Sequence, residues 1–339
     1  MESSLKIKAI IAEEQGAPDV FKVGEVDFPS NEGKENYVWI KTEATGINRA
    51  ETMQRKGLYP SIPGETDVIG LEAAGYLVNS QEEYTSGEYK NNERVMALLP
   101  GGGYSDIARV HKDHLMKIPE NLSFEEGAAI PETWLTSFQL LFLVASGKEG
   151  QTALIHAAGS GIGCAAIQLC KKVGITTIAV ASTNEKLELA KSLGASHGIN
   201  YKENADFSTL VQEYTGGKGV NIILDCVGAQ NFDYNIKSAA VDCQWVLYGL
   251  MGGPKVPEFN LKSFMGKRIQ LLCSTLKTRT NEYKADMITK FSEQFLPLFE
   301  TGELKPIIDI TLKYSEMKEA HEYMESNKTQ GKIICTNDL

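Results

Sequence analysis

An α/β fold built on a parallel sheet, with helices on both faces, follows from three observations. Apolar strand-like runs alternate with amphipathic helical runs between about residues 152 and 273. Small-residue turns punctuate them, and the first strand passes through a glycine turn directly into a helix.

Taken in order, Ala153 to His156 is the first strand, and Ala157-Ala-Gly-Ser-Gly-Ile-Gly163 is the turn into the helix that begins at Cys164. Ile175 to Ala181 reads as the second strand, and Asn184 to Leu193 as a helix stopped by Gly194. His197 to Asn200 is a third strand, followed by the helical pattern Phe207 to Tyr214, which Gly216-Gly217 ends. Val220 to Val227 is the fourth strand, Trp245 to Tyr248 the fifth and Arg268 to Cys273 the sixth. Six strands in two halves make a complete Rossmann unit.

The glycine turn is the chemically loaded part of that unit. Small residues let the backbone approach a pyrophosphate, and the free N–H groups of a helix start meet its negative charge. Ser160, Gly161, Ile162 and Gly163 are the residues that would do this. The strict G-x-G-x-x-G spelling is absent, since Ala158 and Ser160 stand at its first two glycines. Such a turn also serves plain close packing of a helix against a strand, and both readings stand at this point.

The end of the second strand bears on which dinucleotide is meant. An NAD site would carry Asp or Glu about 20 residues beyond the turn, to bind the ribose 2′-hydroxyl. Here Ser182 holds that position, followed by Thr183, Asn184, Glu185 and Lys186. A hydroxyl and an ammonium suit a 2′-phosphate, so NADPH is favoured over NADH. Against this, Glu185 is close, and Lys186 has the alternative of being a solvated helix residue.

Composition narrows the class. The 339 residues are enough for about two domains with a sizeable core. A net charge of −10 and the absence of a basic stripe disfavour nucleic acid or anionic membrane as partners. No run of about 20 apolar residues is present, so no membrane span is expected. The N-terminus carries no signal-peptide pattern, and a cytoplasmic protein is the expectation. A mitochondrial association through a cryptic signal stays open. The six cysteines contain no C-x-x-C pair and read as buried thiols of a reducing compartment. His111 and His114 have a spacing that would suit a metal, but no further His or Cys is close in sequence. They read as solvent-facing loop residues, and no metal site is expected.

Before the nucleotide-binding unit, residues from Lys6 to about Pro119 show short strands, turns and Gly/Pro breaks, the texture of a compact β-rich domain. Gln81 to Glu93 reads as a polar loop. After the sixth strand come a helix over roughly Asn281 to Thr301, the segment Pro306-Ile-Ile-Asp-Ile-Thr-Leu312, a helix from Ser315 to Ser326 and a last strand, Lys332 to Cys335. The six-stranded sheet is already complete, so this tail is expected to return to the first domain.

Over nearly its whole length the chain resembles the medium-chain dehydrogenase/reductase superfamily, and within it the zinc-free quinone oxidoreductase (zeta-crystallin-like) branch. The motifs that carry the resemblance are Gly46-Ile-Asn-Arg-Ala-Glu51, Gly57-Leu-Tyr-Pro60, Ile69-Gly-Leu-Glu-Ala-Ala-Gly75 and Ala97-Leu-Leu-Pro-Gly-Gly-Gly-Tyr104. Ala129-Ile-Pro-Glu-Thr-Trp-Leu-Thr136, Tyr248-Gly-Leu-Met-Gly-Gly253 and Tyr323-Met-Glu-Ser-Asn-Lys328 add to them, the last few looking most like the stress-inducible NADPH:quinone oxidoreductase subgroup. The resemblance implies a GroES-like β-rich catalytic domain over residues 1–122, a six-stranded parallel Rossmann domain over 123–305, and a return to the catalytic domain over 306–339.

It also implies a function: NADPH-dependent reduction of a quinone or activated enone, by hydride or by single electrons. The span Val95 to Glu120 lacks cysteine, and Asn48 stands where zinc-dependent relatives carry a metal ligand, so no Lewis acid is expected. Asn48 and Tyr59 are the implied catalytic residues. Tyr59 would hydrogen-bond the substrate oxygen or donate a proton, the alternative being that it only walls the pocket. Ser182, Lys186 and Tyr201 would surround the 2′-phosphate. Cys226, Val227, Gly228, Leu250, Met251, Ser274, Leu276 and Asn327 would line the nicotinamide half. The family's partner state implies a homodimer. Two alternatives accompany the reading: an alkenal double-bond reductase, and a catalytically weak homologue acting as a structural or accessory subunit.

Overall fold

The computed structural model describes residues 5–31, 35–78, 85–86 and 89–339. Its internal contacts divide the chain into two units, Met1–Leu135 with Lys277–Leu339, and Thr136–Leu276.

The first segment opens with an antiparallel hairpin of β1 (Lys6–Ala12) and β2 (Phe21–Asp27). The long strand β3 (Tyr37–Ile47) follows. Val38, Ile40, Thr42 and Ala44 are buried at every second position, as one face of a strand requires, and from Ala44 to Ile47 every residue is buried. Helix α1 (Arg49–Arg55) begins two residues later, and β4 (Glu72–Val78) pairs back onto β3. A minimal pair, β5 (Thr85–Ser86) and β6 (Tyr89–Lys90), lies in the polar stretch 81–93, of which 81–84 and 87–88 are outside the described residues. Strands β7 (Arg94–Leu98), β8 (Ile107–His111) and β9 (Leu115–Lys117) complete this part of the sheet. Helix α2 (Phe124–Ala128), capped by Ser123, packs on β3 and β4, which groups residues 123–135 with this unit. Within α3 (Pro131–Phe138) the chain passes from one unit to the other.

The second unit is a regular alternation: β10 (Thr152–Ile155), α4 (Gly161–Val173), β11 (Thr176–Ala181), α5 (Asn184–Leu193), β12 (His197–Asn200) and α6 (Phe207–Tyr214). It continues with β13 (Val220–Asp225), α7 (Phe232–Ser238), β14 (Ala239–Leu247), α8 (Leu261–Lys267) and β15 (Gln270–Cys273). The strands are parallel, in the order β12-β11-β10-β13-β14-β15. That order reverses direction between β10 and β13, which is the switch point where such sheets bind ligands. Leu154, Ile178, Val180, Phe207 and Trp245 form part of its buried core, each fully buried large side chain contributing about 1.5–3 kcal/mol. The fifth strand starts at Ala239, well before Trp245. The register slips between its pairings at Ala239 and Gln244, and Asp242 has φ +65°, so no clean alternation marks its start.

In the last segment α9 (Asn281–Phe295) and α10 (Pro297–Glu300) divide the single helix expected over 281–301, because Pro297 lacks the N–H that would continue it. The parallel pair β16 (Ile308–Lys313) and β17 (Lys332–Thr336) flanks α11 (Met317–Glu325), and β17 pairs antiparallel with β3. The tail thereby completes a seven-stranded sheet, β16-β17-β3-β4-β7-β9 with β8 also on β3.

Candidate active site

In the second unit the glycine turn connects β10 to α4. Ser160 is the N-cap: its Oγ accepts from the Gly163 N–H at 3.1 Å. Among the described residues the amides of Gly161 and Ile162 find no acceptor in the chain, as expected for the first turn of a helix. Gly163 has no room for a side chain, since a Cβ would stand 2.6 Å from the backbone of Ala157 and Ala158. The helix start is therefore drawn tightly onto the strand end, and its first two amides are left for an outside acceptor. These residues fit an anionic dinucleotide bridge.

Next to it, Lys186 lies against the turn: the stem of its side chain would be 3.0 Å from a Cβ at Gly159. Thr183 caps α5 by accepting from the Lys186 N–H, and Ser182 is half-buried at the end of β11. Tyr201 is exposed just past β12, its N–H donating to Ala181 O at 3.1 Å. Ser182 and Tyr201 thus follow the ends of neighbouring strands, and Lys186 stands in the first turn of α5. Cys164, in the first turn of α4, is buried with its Sγ 3.8 Å from Ala158 O.

At the end of β13 the turn Cys226-Val-Gly228 is pinned by a buried carboxylate that the sequence reading did not single out. Asp225 Oδ1 accepts from the N–H groups of Val227 at 2.7 Å and Gly228 at 3.0 Å. Its Oδ2 accepts from Asn235 Nδ2 and Trp245 Nε1, both at 3.0 Å. The loop after β14 is tied to the same turn, Met251 N–H donating to Cys226 O and Gly252 N–H to Val227 O. Leu250 and Met251 are left about half exposed, at 51% and 54%. Ser274 and Leu276, beyond β15, are buried, and the Ser274 hydroxyl has no hydrogen-bond partner among the described residues. A buried orphan hydroxyl is a group prepared for a ligand or an ordered water.

In the first unit, Asn48 caps α1 and is buried at the centre of a cluster of charged groups. Its Nδ2 donates to Glu72 Oε1 at 2.8 Å, and its Oδ1 accepts from Lys332 Nζ at 2.7 Å. Lys332 and Glu72 form an ion pair at 2.6 Å, with side-chain exposures of 4% and 0%. Glu51 accepts from the Asn48 N–H and from the Leu71 N–H. Burial pushes the Glu51 carboxyl up to about 7, with Lys332 pulling it back. Burial, then the Glu72 and Glu51 carboxylates, push Glu132 up to about 8. Glu51, Glu72, Glu132 and Lys332 went unrecognised in the sequence because they lie on four separate elements. The available signal was a glutamate inside each of three apolar motifs.

Tyr59 is half-buried in the loop after α1, with the Lys277 ammonium 4.6 Å from its ring centre. Lys277 also donates to Pro60 O and Gln54 Oε1, which holds it in place. It lines a cavity of about 260 Å³ together with His114 and Lys284. Burial, then the charge of Glu132, push the Tyr59 phenol up to about 12, so it is an O–H donor at neutral pH. Asn327 adopts φ +58° just past α11 and accepts from an Arg49 guanidinium N–H at 2.6 Å.

The histidine pair differs from the sequence reading. His114 is buried, its Nε2 3.2 Å from Asn281 O, and burial holds its imidazole down to about 4. Neither ring is fully solvated, since α9 covers this loop. Cys273 is exposed, unlike the other five cysteines, because β15 is the sheet edge. Among the described residues no group of three or more His, Cys, Asp or Glu side chains is arranged to hold a metal ion, and no helix is long and apolar enough to cross a membrane.

Residues 34–120 match the family model of the alcohol dehydrogenase GroES-like domain, and residues 161–293 that of the zinc-binding dehydrogenases. A quinone oxidoreductase from Homo sapiens is 28% identical over 330 residues, covering 97% of each chain. A synaptic vesicle membrane protein VAT-1 homolog from Danio rerio is 26% identical over 318 residues; the match covers 90% of this chain and 65% of the relative's length. The solved structure of a mycobacterial protein complexed with NADPH is similar with a TM-score of 0.84 at 27% identity, over 97% of this chain and 99% of that one.

Proposed function

We propose that this chain, which belongs to the zinc-free quinone oxidoreductase branch of the medium-chain dehydrogenase/reductase superfamily, reduces quinones or activated enones with NADPH. The observation that carries the reading is the turn Ser160–Gly163, with two amides that have no acceptor among the described residues and no room for a side chain at Gly163. Its place at the end of β10, beside the reversal of strand order, is where a dinucleotide is expected. Ser182, in place of an acid, and Lys186 against the turn support the phosphorylated form of the cofactor.

Bound NADPH supplies a hydride, the chemistry the side chains of this protein lack. Gly161 and Ile162 bind the pyrophosphate through their amides, and Ser182, Lys186 and Tyr201 take the 2′-phosphate. The turn Cys226–Gly228, held by Asp225, forms one wall for the nicotinamide half with Leu250, Met251, Ser274 and Leu276. Asn327 contributes from the tail. Asn48 orients the reacting oxygen. Tyr59, kept protonated by burial, donates a hydrogen bond and then a proton to the reduced product. The sheet edge β15, with Leu271 exposed on it and Met265 exposed on α8, is the surface through which a homodimer would form.

The test is consumption of NADPH and of NADH with ortho-quinones, para-quinones and conjugated enones. Rapid turnover with NADPH and slower turnover with NADH is the expected result. Cofactor binding without reduction of any acceptor would favour an accessory subunit instead.

A further inference from the structure

We infer that Lys332 and Glu72 are positioning residues that hold the Asn48 carboxamide in one orientation, with a single N–H unused among the described residues, and that this N–H donates to the carbonyl oxygen of the acceptor. The identity of the ligand rests on the reductase reading above; the clamp does not.

An asparagine amide can ordinarily be turned either way. Here an ammonium, which only donates, faces one end and a carboxylate, which only accepts, faces the other. Lys332 Nζ at 2.7 Å fixes the oxygen, and Glu72 Oε1 at 2.8 Å fixes the nitrogen. The clamp is itself closed. Lys332 directs its donors at Glu72, Asn48 and, at 3.3 Å, Ile47 O, while Glu72 Oε2 accepts from the Glu132 N–H at 2.8 Å. Among the described residues the second Nδ2–H of Asn48 has no acceptor.

The sequence makes room for this arrangement. A Cβ at Gly46 would run into Glu72 Oε1 and stand 2.8 Å from Lys332 Nζ. Gly46 is thus the vacancy that admits the ion pair beside the helix cap. Residues from β3, β4, β17 and the start of α1 meet around one amide, an arrangement costly to bury unless its orientation matters.

The chemical consequence concerns the acceptor. A conjugated carbonyl gains a hydride from NADPH at one end of its π system, the π pair shifts onto the oxygen, and a proton from Tyr59 or water completes the reduction. A fixed N–H aimed at that oxygen stabilises the charge as it develops. An isolated alkene offers no such oxygen, so it should not be reduced.

Lys332→Met alone leaves a buried carboxylate unpaired and risks unfolding. The deciding variant is therefore the charge-neutral double, Glu72→Gln with Lys332→Met. Two readouts on the full chain are combined: steady-state reduction of duroquinone by NADPH, and side-chain amide spectra of asparagine-labelled protein, the Asn48 pair being identified by its loss in Asn48→Ala. In the wild type, one Asn48 amide proton should be shifted downfield and exchange slowly, and the other should move when duroquinone is added with NADP⁺. The double variant should lose the shifted signal and about tenfold in kcat/KM for duroquinone, the worth of one hydrogen bond. Its KM for NADPH should stay within about twofold. Two solvent-like amide protons in the wild type, or an undiminished kcat/KM in a folded double variant, would overturn the inference. If the wild type reduces no acceptor at all, the reductase reading falls by itself and the amide spectrum still decides the clamp.

Discussion

Lys277 holds its ammonium 4.6 Å from the centre of the Tyr59 ring. The ring is thereby fixed face-on to a cation, an arrangement worth about 0.5–2 kcal/mol, and its hydroxyl keeps its proton. Tyr59→Phe preserves the ring and removes the O–H. Its expected effect is a fall of roughly tenfold or more in kcat, with NADPH affinity unchanged. Stopped-flow and steady-state kinetics on the variant check this; equal kcat would reduce Tyr59 to a wall of the pocket.

Gly163→Ala introduces a Cβ 2.6 Å from backbone atoms of Ala157 and Ala158, which cannot swing aside as a side chain can. Either α4 moves outward or the turn opens. The expected cost is about 1–3 kcal/mol of stability together with a large loss of NADPH affinity. Thermal unfolding and calorimetric titration report the two effects separately.

Lys186→Ala removes the cation proposed for the 2′-phosphate, and leaves the Thr183 cap of α5 in place. NADPH affinity should weaken about tenfold, the scale of one hydrogen bond to a charged group, while NADH affinity hardly changes. Parallel fluorescence titrations with both cofactors make the comparison. Equal weakening for both would mean that Lys186 contributes through its packing on Gly159.

The half-buried, desolvated carboxyl of Glu132 gives a pH signature. It is raised to about 8 in the folded protein from an ordinary value of 4.5, by burial first and then by Glu72 and Glu51. An acid whose folded pKa is raised stabilises fully below its unfolded pKa, and that contribution is lost as pH rises to the folded value. Stability should therefore fall between about pH 4.5 and pH 8 on account of Glu132, and Glu51 acts in the same direction. Glu132→Gln should melt higher than the wild type near pH 8.5 and match it near pH 5. His114, lowered by burial to about 4, acts oppositely: its contribution is full above about 6.5 and is lost as pH falls. It is present in both proteins, so the difference between their melting curves isolates Glu132.

Much of the second unit is legible in the sequence, because each element there is signalled locally. Asn184–Leu193 and Phe207–Tyr214 form the helices that their caps and glycine stops predict. Helix α1 is not legible, since Arg49–Arg55 shows no apolar stripe and is fixed instead by the Asn48 cap and the buried Arg55. Helix α7 is similarly hidden, its polar Asn235 being buried because Asp225 and His156 both bond to it. Asn48, Tyr59 and the glycine turn are proposed from motifs. Their supporting charges are not: Lys332 meets Glu72 across 260 residues of sequence, and only the sheet pairing of β17 with β3 brings them together.

The most direct test of the proposed reaction is label transfer. The wild-type protein is given NADPH carrying deuterium at the nicotinamide C4 position, on each face in turn, and an activated enone. With one of the two labelled cofactors, the saturated ketone should carry deuterium on the carbon β to its carbonyl, matched to the NADPH consumed. Product without label from either face, or no consumption of NADPH across the acceptor panel, would contradict hydride reduction by this protein.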